Sequence, residues 1–145
     1  MIVDPSLAPV EYREAVSMLR LSVSGGLTQF GAYVKTLAAK AWPSDRPWRA
    51  AEDKLVLVLS GAPVRVENGE TPHPPGETPS WPAGWPIGHQ VPNRSTGDVV
   101  YQTIGSRLPR EIIHYPDHDL ITHKDGAARR YTDADGRPRS AGERK

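Results

Sequence analysis

Three histidines crowd into HYPDHDLITH, residues 114–123, with Asp117 and Asp119 among them. Imidazole and carboxylate are the side chains that hold a zinc or similar ion. A metal-dependent hydrolase centred on His114, His118 and His123 is therefore one reading of the chain. Local geometry opposes it. In a helix His114 and His118 would share a face, but Pro116 would then lie inside the helix, at a cost of ~3 kcal/mol. In an extended chain His118 and His123 point to opposite faces. The proline also bends the path between His114 and His118. No metal site and no cofactor are assigned. The segment is expected to bend at Tyr115-Pro116-Asp117 and enter a strand that turns back at Lys124-Asp125-Gly126.

Asp117-His118 ahead of a glycine turn resembles the opening of an HNH nuclease motif. No Asn or His follows His123, so the family's later residues have no counterpart and its activity is not carried over. Other chemistry is thinner still. The chain has no cysteine, which removes disulfides, thiolate nucleophiles and cysteine zinc sites. Ser24 and Ser60 lack the pattern of a nucleophile elbow, and Gly25-Gly26 lacks that of a phosphate loop. No catalytic residue is assigned.

Two surfaces remain. SWPAGWPIG, residues 80–88, repeats Trp-Pro-x-Gly. Tryptophans anchor interfaces, and prolines lower the entropy cost of ordering an arm. Trp81, Pro82, Trp85, Pro86 and Ile87 are thus candidate partner-binding residues. The C-terminal stretch from Ala127 carries six basic and three acidic side chains. Arg129, Arg130, Arg137 and Arg139 are its candidate nucleic-acid contacts, of the salt-dependent phosphate-backbone kind. The whole chain has a net charge of +1, which is not the field of an obligate DNA binder.

The elements that would position these residues read as follows. Tyr12, Ala15, Val16, Leu19 and Val23 recur at helical spacing behind Pro9, so a helix is expected at about 9–22, ended by Gly25-Gly26. Phe30, Val34, Leu37, Ala38 and Ala41 predict a second helix, capped by Thr28 and stopped by Pro43. Gln29, Lys35 and Lys40 would lie on its polar face. A third helix is expected over 46–54, with Ser44 or Asp45 as cap. The run LVLVL at 55–59 fits helix or strand, with helix continuation preferred. Residues 68–97 hold seven of the 15 prolines and are expected to be an extended arm. Strands are expected at 63–66, 98–104, 110–115, 119–123 and 127–132.

These pieces give an α+β fold, an N-terminal helical hairpin with an optional third helix packed on a small antiparallel sheet. One domain is divided into a helical part (1–67), the Pro/Trp arm (68–97), a β-rich part (98–136) and a polar tail (137–145). The first residues lack a signal peptide's basic and apolar regions, and no apolar run spans a membrane, so a cytoplasmic protein is expected. The functional expectation is a non-enzymatic, self-associating or partner-binding assembly subunit, as in a phage or mobile element. The alternatives are a nucleic-acid-binding accessory protein and the metal-dependent hydrolase.

Overall fold

The computed structural model describes residues 2–43 and 45–141. Its strands are β1 (Val10–Arg13), β2 (Val16–Leu19), β3 (Phe30–Leu37), β4 (Trp48–Arg49), β5 (Lys54–Ser60), β6 (Val64–Val66), β7 (Glu70–Pro72), β8 (Ser80–Trp81), β9 (Val99–Ser106), β10 (Arg110–Tyr115), β11 (Leu120–Asp125) and β12 (Ala128–Thr132). One sheet runs β1-β2-β3-β9-β5-β8 and a second runs β12-β11-β10-β4. The hairpin β6-β7 stands apart from both. The two large sheets close on a common interior. The one α-helix described is a single turn, α1 (Leu21–Ser24). Among the described residues no helix is long and apolar enough to cross a membrane.

The α+β expectation is therefore overturned: among the described residues there is no helical hairpin and no third helix. Residues 9–22 hold β1 and β2, residues 28–42 hold β3, and LVLVL belongs to β5. The stripe Tyr12, Ala15, Val16 fits helical spacing, but pairing decides the outcome. Each of these strands gains a full ladder against a neighbour, Val10 to Leu19 across β1-β2 and Phe30 to Ser106 across β3-β9. The strands expected in the C-terminal half lie where alternation placed them, and β11 and β12 turn at Gly126, which has φ +56°. Ser44 and residues 142–145, which include Arg144 and Lys145 of the basic tail, lie outside the described residues.

Strand parity fixes what faces inward. Lys54, Val56 and Val58 on β5 pair with Gly105, Thr103 and Tyr101 on β9. Those in turn meet Gly31, Tyr33 and Lys35 on β3. Directly opposed residues point the same way, so all of these share one face. Leu37, Ala41, Val56, Val58, Trp81, Val91, Val99 and Tyr101 form the apolar core on that face. Two lysines, Lys35 and Lys54, lie in phase with it.

Residues 68–97 do not extend as an arm. They wind back as part of the wall. Gln90 exchanges backbone bonds with Val66, the Gly84 amide donates to the Arg49 carbonyl, and the Asn93 amide donates to the Ala41 carbonyl. His73, Pro92 and Asn93 are fully buried there.

Candidate active site

The inward lysines define the site. Lys54 opens β5 beside Trp81 of β8, with which it is in register. Its Nζ lies 5.4 Å from the Trp81 ring centroid, a cation–π contact. Trp81 is buried and donates its indole N–H to Glu67 Oε1 at 2.7 Å. Its face carries His89, stacked with ring centroids 3.9 Å apart. His89 Nδ1 lies 3.1 Å from the Ile87 carbonyl, which assigns the proton to Nδ1. That leaves Nε2 buried with no hydrogen-bond partner.

Arg49, on β4, faces the same interior. It is in register with Ile113, which opposes the buried Thr122. Its guanidinium pairs with Glu52 at 2.7 Å. Burial lowers the Lys54 pKa to about 7, and repulsion from Lys35 and Arg49 adds to that. Burial, Lys54 and Arg49 together push His89 down to about 3. Lys35 is also lowered, by burial first and then by Arg13, with Glu11 opposing. Neither lysine ammonium has a hydrogen-bond or ion-pair partner among the described residues. Tyr101, buried beside them, is raised well above the usual phenol range by burial.

Two adjoining cavities lie beside this region; Lys35 lines one of them, and Lys54, Arg49, Trp81 and His89 line neither. One of about 160 Å³ is lined by Glu11, Arg13, Val16, Met18, Lys35 and Pro43. The other, of about 430 Å³, is bounded by Arg13, Trp42, Arg46, Gln90, Asp117 and His118. They share Arg13 and Pro43. Arg46 straps the rim by a bidentate pair with Asp117, at 2.9 and 2.5 Å, which holds the Asp117 carboxyl below its ordinary range.

The interior does not suit a metal ion. His89 sits in the field of Lys54 and Arg49, and among the described residues no three His, Asp or Glu side chains gather as a cation site. The crowded histidines do not converge either. His114 stacks on Trp48 at 3.8 Å, on the outward face it shares with His123. His118 turns the other way and bonds Asp45 at 2.9 Å.

The remaining residues singled out from the sequence scatter. Trp81 is inside the barrel and closed to any partner, while Trp85 is 51% exposed. Pro82 and Pro86 are exposed, and Ile87 is half-buried. Arg129 and Arg130 lie on the edge strand β12, and Arg129 bonds the carbonyls of Gly126 and Ala128. Arg137 pairs with Asp133 and Asp135, and Arg139 donates to the Asp119 carbonyl. The residues that sequence reasoning missed are Lys54, Arg49 and His89. Lys35 was read as an outward residue on a helix. The signal was parity, since a lysine in step with buried valines must point inward.

Comparison with solved structures places this architecture. A cupin-superfamily sugar phosphate isomerase from Silicibacter pomeroyi superposes with TM-score 0.90 at 32% identity, covering 100% of both chains. A presumed sugar phosphate isomerase from Acidithiobacillus ferrooxidans gives 0.79 at 20% identity over 88% of this chain and 85% of its own. A polyketide cyclase from Streptomyces resistomycificus gives 0.60 at 16%, over 73% of this chain and 78% of its own. No family model and no curated protein matches. The chain belongs to the cupin superfamily. That corrects the expectation of a non-enzymatic phage or mobile-element assembly subunit: the full-length likeness is to a small-molecule enzyme.

Proposed function

We propose that this cupin binds a small phosphorylated sugar inside its barrel and isomerises it, without a resident metal. One observation carries the reading: Lys35, Lys54 and Arg49 project into one interior, where among the described residues neither lysine ammonium makes an ion pair and Glu11 is the carboxylate that offsets Lys35. Burying ammonium groups costs free energy unless an anion compensates. A phosphate or the oxyanion of a reacting sugar supplies that charge. The likeness in fold and sequence to a sugar phosphate isomerase supports the same class. A ligand of that class would suit a cytoplasmic protein.

The chemistry follows from the charges. Aldose–ketose isomerisation moves a proton between neighbouring carbons and builds negative charge on an enediolate oxygen. Fixed cations aimed at that oxygen stabilise it before the reaction starts. A group that titrates near neutrality is suited to carry the proton, and Lys54 is that group. Calorimetry with inorganic phosphate tests binding, and proton NMR of aldose phosphates in D2O tests exchange at C2. Binding that fades in Lys35→Met, with exchange in the wild type alone, is the expected result. A wild-type protein that binds neither phosphate nor any sugar phosphate would sink the proposal.

A further inference from the structure

We propose that the chain forms a two-fold dimer in which β1 pairs antiparallel with β1 of a second copy, centred on Tyr12, so that each copy lends its Arg13 to the other's cavity wall.

β1 ends the larger sheet, and among the described residues no strand pairs with its outer edge. The free N–H and C=O groups of such an edge are a template for another strand. The surroundings are apolar. Ile2, Leu7, Val10, Tyr12, Val23 and Leu27 are six of the twelve exposed large apolar residues among those described. Half of that surface thus lies in the first 27 residues, and Val3 and Leu27 both lie against Gly25, which joins the start of the chain to α1. A concentration of this kind marks an interaction surface.

Bonding phase and charge together choose the register. The Arg20 N–H donates to the Pro9 carbonyl. Hydrogen-bonded pairs alternate along an antiparallel ladder, so Glu11 with Met18 and Arg13 with Val16 are the next pairs of that kind. Val10 and Tyr12 fall between them, and their backbone groups point away from β2 to the free edge. An incoming antiparallel strand therefore bonds to Val10 and Tyr12. Glu11 is in line with Met18 and Lys35, and Arg13 with Val16 and Leu37, so both charges face inward, where they line the smaller cavity. With the two-fold axis on Tyr12, the two Tyr12 residues form a hydrogen-bonded pair. Glu11 then stands opposite the partner's Arg13, twice, at the closer spacing of about 4.5 Å between Cα atoms. An axis on Glu11 keeps the phase but sets Glu11 against the partner's Glu11, which like-charge repulsion opposes. Charges on an edge strand repel most neighbours, and these two admit this one.

Each copy has a single β1, so the pairing uses it up and the assembly stops at two. The smaller cavity, which holds Lys35, gains a second arginine on its wall.

Sedimentation velocity on the full chain should give twice the chain mass. Tyr12→Pro removes an N–H that the β1-β2 ladder does not use, and should give a monomer with the wild-type circular dichroism. Glu11→Arg should weaken the dimer at least about tenfold, because a cation then faces the partner's Arg13 at both positions. Adding Arg13→Glu should return the dissociation constant to within about threefold of wild type. A wild type that sediments as a monomer overturns the proposal. So does a dimer that persists in Tyr12→Pro, or a double variant that associates no more tightly than Glu11→Arg alone.

Discussion

His89 lies flat against Trp81, the ring planes 5° from parallel. The pair joins the last residue of β8 to the segment that closes the barrel wall, so its loss should be felt in stability and in acid response. Trp81→Ala empties a buried site and should cost about 3–5 kcal/mol in urea unfolding. The imidazole adds a pH term. An unfolded histidine takes its proton near 6.5, whereas His89 resists down to about 3. As pH falls between those values the unfolded state binds more protons, and stability declines. His89→Gln should flatten the denaturation midpoint across that window; an unchanged slope would assign the acid response elsewhere.

Lys54 should behave in the opposite pH range. Its ordinary value is 10.5, and in the barrel it is about 7. Between pH 7 and 10.5 the unfolded chain holds the extra proton, so raising pH across that interval favours the fold and lowering it opposes the fold. Lys54→Met should abolish this slope and make the protein more stable than wild type at pH 7 by chemical denaturation. Activity should fall in the same variant, the exchange of stability for function expected of a charged site.

Asn93 is a buckle across the sheet. Its Nδ2 donates to the carbonyls of Leu37, Ala38 and Gly97 at 3.1, 2.9 and 2.7 Å, while its Oδ1 accepts from Ser95 N and Oγ. Asn93→Leu leaves buried carbonyls unpaired and should cost about 3 kcal/mol. Asn93→Asp, which turns oxygens toward oxygens, should be worse. Equal melting of Asn93→Asp and wild type at pH 7 would refute the buckle.

Gly88 permits the rim strap. A Cβ there would meet the Arg46 carbonyl oxygen at 2.5 Å and Pro116 Cγ at 3.0 Å. Gly88→Ala should therefore push Arg46 away from Asp117, widen the larger cavity and cost about 1–3 kcal/mol. Faster hydrogen exchange at the His89 amide, which bonds the Pro47 carbonyl, would report the shift without a crystal.

How far the sequence could be read depended on turn chemistry. The hairpin β11-β12 was legible because Lys124-Asp125-Gly126 names its own turn. The hairpin β1-β2 was not, because its two-residue loop is Glu14-Ala15, with Glu14 at φ +51°. A glutamate rarely takes that conformation, so nothing marked a turn, and Tyr12 to Val23 read as one helical stripe. β3 misled for another reason. Lys35 and Tyr33 share its inner face with Leu37, and Phe30 on the outer face is exposed, so the strand lacks a clean apolar alternation. The site was hidden by the same substitution of charge for apolar bulk at inward positions.

The central ladder has a consequence for how the molecule is made. β3 pairs with β9 along its whole length, Phe30 against Ser106 and Leu37 against Val99. The strand that completes the middle of the sheet is thus synthesised long after its partner. Until it emerges, β3 has only β2 beside it and keeps one open edge, a template for wrong pairing. Contacts this distant in sequence close slowly. The nascent chain therefore waits with its inward lysines in water, and their removal from solvent is among the last acts of folding.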